Sequence, residues 1–97
     1  MSLKFVWDNN KANKNLNKHG ISFQEAETVF VDPLARIFDD EWHSRNERRE
    51  IIIGHSNRNR LIVVCFTEKS EDVIRIFSSR PVTRKERRGY AKHTQFK

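Results

Sequence analysis

Residues 49–80 read REIIIGHSNRNRLIVVCFTEKSEDVIRIFSSR, and this stretch decides the fold. Three runs rich in Ile, Val and Phe, at 49–54, 61–67 and 73–79, are separated by the polar segments 56–59 and 69–72. β-Branched and aromatic runs between polar turns of this length predict strands joined as hairpins. The middle run has no polar side chain over 61–66 on either face of the two-residue period, so it is expected to be the central strand, covered on both sides. In the third run Ile74 and Ile76 point one way, and Arg75 and Phe77 the other, with Ser79 after them. An arginine in mid-strand cannot stay unpaired in a core. Arg75 therefore either emerges on an open face beside Phe77 or pairs with a carboxylate such as Glu50.

Working outward, residues 34–38 form a short strand candidate and 39–46 a polar loop. Phe5, Val6 and Trp7 open the chain as a first strand. Asp8 is an N-cap for a helix over 9–19, whose Ala12, Leu16 and His19 share a face at helical spacing. Lys18 and His19 suit the negative helix end, and Gly20 stops it. Ser22-Phe23-Gln24-Glu25 is a capping box for a second helix, with Phe23, Ala26 and Phe30 on one side, ending at Asp32-Pro33. Beyond Pro81, Thr83-Arg84-Lys85-Glu86 is another capping box, opening a C-terminal helix of about ten residues. The expected fold is one α+β domain over 1–97: a small antiparallel sheet with two N-terminal helices packed on it and a C-terminal helix. Such helices cover one face and leave part of the other open.

Composition narrows the function. The 97 residues are 36% hydrophobic and 33% charged, with seven Phe and two Trp, too apolar-patterned for disorder. Formal charge is +6, but unevenly placed: residues 1–44 carry a net −2 and residues 45–97 a net +8. Clustered Lys and Arg point to a polyanion, and nucleic acid is the expected one. No apolar stretch reaches membrane-spanning length and the N-terminus has no apolar signal core, so the reading is cytoplasmic with no membrane partner. The single Cys65 lies inside the apolar run and reads as a buried strand residue; one cysteine builds neither a disulfide framework nor a zinc cluster. With only Gly20, Gly54 and Gly89, there is no glycine-rich phosphate loop, which argues against nucleoside-triphosphate chemistry.

Arg75 and Arg80 are candidates for phosphate contact, with a paired structural role as the alternative for Arg75. The segment 83–92 carries five basic residues, among them Arg84, Lys85, Arg87 and Arg88, and reads either as a solvated helix or as an RNA-binding one. Tyr90 stacks on a base, donates a proton or packs on the sheet. Of four histidines, His93 lies near the chain end, His55 precedes a turn, and His43 sits in a loop, Asp39-Asp40-Glu41-Trp42-His43, that only loosely resembles a metal site. His19, at a helix C-terminus, is the histidine singled out for a groove, with helix capping as its alternative. Neither metal nor other cofactor is expected.

The residues also resemble a known family. Phe5-Val6-Trp7-Asp8, Lys11, Asn15, Lys18-His19-Gly20-Ile21-Ser22-Phe23, Glu25-Ala26, Val29-Phe30 and Asp32-Pro33 look like the first half of the BrnT toxins. Ile53-Gly54, Leu61-Ile62-Val63-Val64, Arg75-Ile76-Phe77-Ser78-Ser79-Arg80, Glu86-Arg87 and Tyr90 look like the second half. The family often has Ala at the place of Ser79 and an aliphatic at that of Phe77. The resemblance implies a RelE-like fold and a ribonuclease toxin of a type II toxin–antitoxin pair, which inhibits translation and growth. It also implies restraint by a BrnA-like ribbon-helix-helix antitoxin, with DNA reached only through that complex. RNA supplies its own 2′-hydroxyl nucleophile, so metal-independent cleavage needs a base, cations for the phosphorane and an acid. Arg75 and Arg80 are cast as phosphate stabilisers, His19 as the proton-transfer group with Lys18 or Tyr90 in reserve, and Trp7 with the 84–88 cations as RNA contacts. The competing class is a non-enzymatic basic nucleic-acid-binding module.

Overall fold

The computed structural model describes residues 3–95, with side chains to residue 92. Strand β1 (Lys4–Val6) leads into helix α1 (Asn9–His19) and then helix α2 (Phe23–Glu27), which tightens into a 3₁₀ turn over Thr28–Val31. Strands β2 (Arg36–Asp39), β3 (Glu50–His55), β4 (Leu61–Ser70) and β5 (Val73–Pro81) follow, and helix α3 (Arg84–Gln95) ends the chain. The five strands form one sheet in the order β1-β5-β4-β3-β2, with β4 in the middle. Residues 61–67 are all buried, as expected for a strand without a polar face.

The expectation of an antiparallel sheet is corrected: β1 runs parallel to β5, pairing Phe5 with Ile74 and Val6 with Arg75. The sheet is mixed, because α1 and α2 carry the chain across one face before β2 begins. A three-residue strand carries no pattern that fixes its partner or direction.

The caps act as read. Asp8 Oδ1 accepts from the Lys11 amide at 3.1 Å, and Gly20 takes the left-handed conformation (φ 71°) that closes α1. Ser22 Oγ accepts from the Glu25 amide at 3.0 Å. The Glu25 carboxylate leaves the cap and is buried elsewhere. It accepts from Arg60 Nε at 2.9 Å and Ser56 Oγ at 2.6 Å, tying α2 to the β3–β4 turn. That pairing holds the Glu25 carboxyl below its usual range, the Arg60 hydrogen bond outweighing the effect of burial. Gly54 has no room for a side chain. A Cβ there would lie 2.8 Å from Ala35 Cβ and 2.9 Å from Asp32 Oδ2, so its absence lets the turn before β2 close on β3.

The helix-covered core joins Ile21, Phe23, Ala26 and Val29 to Ile62, Val64, Phe66, Ile74 and Ile76 from the sheet. The inner face of α1 differs from expectation. Leu16 is 47% exposed and Asn15 is buried, because α1 meets the sheet through a polar junction. Asn15 Nδ2 donates to the Ile21 carbonyl and to Ser79 Oγ, both at 2.9 Å, and its Oδ1 accepts from the Ser79 amide at 3.0 Å.

A second, smaller cluster on the opposite face gathers Ile53, Leu61, Val63 and Tyr90, so α3 seats on the sheet through Tyr90. Its other anchor is Glu86. Arg80 Nη1 and Nη2 donate to the two Glu86 oxygens at 2.7 and 2.8 Å, while Thr83 N donates to Oε1 at 2.9 Å. These donors, Arg80 foremost, hold the Glu86 carboxyl down at about 2.

Two outcomes are expected. Asn15→Ala leaves the Ser79 amide and the Ile21 carbonyl unpaired in the core and lowers stability by about 2–4 kcal/mol. Ser79→Ala keeps the Ser79 amide bonded to Asn15 and costs under about 1 kcal/mol. Urea midpoints at constant m value check the pair. For Glu86, the carboxyl ionises at lower pH folded than unfolded. Its contribution is therefore complete above the ordinary glutamate range and is lost as pH falls towards about 2. Glu86→Gln flattens that acid limb in thermal melts followed by circular dichroism, whereas Glu86 variants with an unchanged limb would place the linkage elsewhere.

Candidate active site

The face of the sheet opposite α1 and α2 carries the groups for chemistry. A groove of about 310 Å³ is lined there by Lys11, Asp40, His43, Arg49, Ile51, Val63, Cys65, Phe77, Ser78 and Arg80. Strand β5 enters this face through a bulge. Phe66 pairs with Ile76 and Cys65 with Ser78, so Phe77 has no partner residue across the ladder. Phe77 and Ser78 both border the groove, and the alternation then resumes in the opposite phase. Arg75, across from Thr67, and Arg80, across from Val63, consequently share one face although they are five residues apart.

The bulge corrects the expectation that Ser79 follows Arg75 and Phe77. Ser79 is wholly buried on the helix side, held by Asn15. Glu50 is not the partner of Arg75, since it lies with Phe66, Glu68 and Ile74 in a hollow on the helix side of the sheet. Arg75 makes no ion pair among the described residues, and its guanidinium lies 5.8 Å from the Phe77 ring.

Phe77 gathers cations from three elements. Arg49 lies over the ring with Cζ at 3.7 Å, and Lys11 Nζ from α1 lies 5.3 Å from its centroid. Arg49 Nε is buried without a hydrogen-bond partner, and its nearest carboxylate, Glu47, is 3.8 Å away. Arg80, by contrast, is already paired with Glu86 at the groove edge.

The loop before β3 closes one side. Asp40 Oδ2 lies 2.8 Å from His43 Nδ1 and accepts from the Cys65 thiol at 3.4 Å. Burial, helped by Asp40, pushes the Cys65 thiol up to about 12, so it stays protonated as expected of a buried strand cysteine. An adjoining hollow of about 570 Å³ shares His43 and Arg49 with the groove and adds Trp42, whose side chain is 88% exposed. Among the described residues no three His, Cys, Asp or Glu side chains are arranged to hold a metal ion.

The structure brings only part of the predicted set together. Arg75 and Arg80 share the groove face. His19 and Lys18 do not reach it: they lie at the far end of α1, about 12 Å along the axis from Lys11. Tyr90 is buried beneath α3, its hydroxyl without a partner and its phenol raised by burial first and then by Asp32. Trp7 packs edge-on to Phe23 at 5.8 Å, on the helix side. Arg84, Lys85, Arg87 and Arg88 are exposed on α3. The side chain of His93 lies outside the described residues.

Arg49, Trp42 and His43 were not nominated for the groove by sequence reasoning. A tryptophan and a histidine inside an otherwise charged loop, followed by an arginine opening a strand, were the available signal.

Comparison with known proteins agrees with this architecture. No curated protein matches the chain. A crystal structure of the ribonuclease toxin BrnT from Brucella abortus superposes with a TM-score of 0.67 and 25% identity, over 86% of this chain and all of that one. The family model for the ribonuclease toxin BrnT of type II toxin–antitoxin systems matches residues 7–86. With most of its length matched and the fold shared, the chain belongs to the BrnT family of type II toxin–antitoxin ribonuclease toxins.

Proposed function

We propose that this protein cleaves RNA across the helix-free face of the sheet, by metal-independent attack of the substrate's own 2′-hydroxyl, and so inhibits translation and growth. One observation carries the reading. Lys11 from α1, Arg49 from the loop before β3 and Arg75 from β5 converge on Phe77 beside a groove that Arg80 also lines. Four cations so close together repel one another, and a folded chain tolerates them most readily where an anion binds. Phosphorane charge is spread over several oxygens, and guanidinium forks fixed on strands meet it without reorganising. Arg49, stacked on Phe77, and Arg75, which makes no ion pair among the described residues, supply that charge, and Arg80 adds to it from its pair with Glu86 at the groove edge. The exposed Trp42 gives a neighbouring base a surface for stacking. The α3 cations add affinity along the strand.

The fold relationship to RelE-type toxins and the cytoplasmic setting belong to the same reading. So does a ribbon-helix-helix antitoxin of BrnA type, covering this groove and carrying the pair to DNA. A type II toxin left with an open cationic groove needs such a cover.

The decisive experiment is cleavage of labelled single-stranded RNA by the purified toxin, alongside induced expression with and without the antitoxin. RNA cleavage and growth arrest, both relieved by the antitoxin, are expected; tight RNA binding without any cleavage would make the protein a binding module instead. Arg75→Ala lowers turnover by about 10²–10³ with the fold retained, and Arg80→Ala lowers it as well while loosening α3 through loss of the Glu86 pair. Arg75→Lys stays well below wild type, since lysine keeps the charge but loses the fork. Arg87→Ala raises the substrate concentration needed more than it lowers the saturated rate. Binding of single-stranded RNA weakens by about 0.7 log units per phosphate contact per tenfold salt, and a flat salt response would leave these cations without their role.

A further inference from the structure

We infer that His43 is the general base of the groove and Asp40 the residue that positions it, an assignment that rests on the groove being the site of RNA cleavage. His43 Nδ1 lies 2.8 Å from Asp40 Oδ2, and an ionised carboxylate only accepts, so the imidazole proton sits on Nδ1. That tautomer leaves Nε2 as a bare acceptor. The two partners differ in exposure as a base and its orienting group should: the His43 side chain is 64% exposed and that of Asp40 13%.

Asp40 is also fixed from behind. Cys65, on the central strand, donates to the same carboxylate oxygen, and its raised thiol keeps the proton this requires. The loop is pinned by Ser44. Its Oγ donates to the Asp40 carbonyl at 2.6 Å and accepts from the Arg49 amide at 2.9 Å, while the Asp40 amide donates to the Arg49 carbonyl at 2.9 Å. One short loop therefore sets His43 and Arg49 in fixed relation, and both line the groove with Arg80.

The chemistry balances without a further reactant. Nε2 of His43 removes the 2′-hydroxyl proton as that oxygen bonds to phosphorus, and Asp40 stabilises the imidazolium formed. Arg49 and Arg80 hold the phosphorane oxygens. The bond from phosphorus to the 5′-oxygen breaks, that oxygen takes a proton from water, and the imidazolium returns its proton to solvent. The products are a 2′,3′-cyclic phosphate end and a 5′-hydroxyl end. No other histidine with described side chain lines this groove.

The test uses the purified toxin with a single-stranded RNA oligonucleotide, scoring kcat, KM and binding. His43→Ala is expected to lower kcat by about 10²–10⁴ with KM little changed. Added imidazole should restore cleavage in part, which a merely structural residue would not allow. Asp40→Asn presents an amide donor to Nδ1, forces the proton to Nε2, and should lower kcat without loss of RNA binding. His43→Gln serves if His43→Ala fails to fold. An oligonucleotide with a 2′-deoxy sugar at the cleavage position should stay intact. Should His43→Ala and His43→Gln cleave at the wild-type rate while Arg80→Ala does not, the pair is wrong and the ribonuclease reading stands. Loss of RNA binding together with cleavage in folded His43 variants would also overturn the assignment. Wild-type toxin that binds RNA but never cleaves it would overturn the ribonuclease reading itself.

Discussion

The bulge at Phe77 is the constraint on which the arrangement depends. A regular strand sends residues five apart to opposite faces, so Arg75 and Arg80 would be separated by the sheet. One extra residue in β5 reverses the phase between them. The same reversal turns Ser79 inward, where Asn15 of α1 satisfies both its amide and its hydroxyl. The polar junction that seats α1 and the gathering of arginines on the open face are therefore two consequences of a single irregularity. Without the bulge, and with Arg75 still across from Thr67, Arg80 would fall across from Ile62 on the helix-covered side and Ser79 would turn away from Asn15, and both outcomes are costly in a core.

Electrostatics on the open face is arranged around this strand. Phe77 stands where like charges meet, and the negative face of its ring offsets part of their repulsion. Glu86 neutralises Arg80 and in doing so fastens α3, so one carboxylate serves both packing and the groove edge. Arg49 is left with a buried, unpartnered donor.

Much of this was legible in the sequence, and the reasons are physical. Caps at Asp8 and Ser22 are local, and the structure has both. So was the central place of β4, because a run without polar residues can be buried on both faces. What escaped depended on pairing between distant segments. A three-residue strand gives no signal for its parallel docking, and a bulge leaves no mark in a run whose residues all suit strands. The burial of Asn15 had no signal in the sequence, because its partners, Ile21 and Ser79, are chosen by the fold. His19 drew attention for its helix terminus, while His43 lay in a loop whose relation to the sheet is set by Ser44 bridging Asp40 and Arg49.

The division of the molecule into two faces also explains its uneven charge. The N-terminal part supplies the helices that cover one side, and it interacts there through apolar side chains and the Asn15 junction, so it has little use for excess cations. Strands β3–β5, their loops and α3 make up residues 45–97, which carry the net +8. On the other side α3 covers one end through Tyr90 and its neighbours. The remainder is a shallow, positively charged surface with an aromatic ring at its centre. Such a surface does not discriminate among polyanions by charge alone, so restraint has to come from occupancy, and membership in a type II family implies the antitoxin partner that provides it. On the proposed reading the antitoxin closes this same face, so the groove that binds RNA is also the surface that the antitoxin recognises.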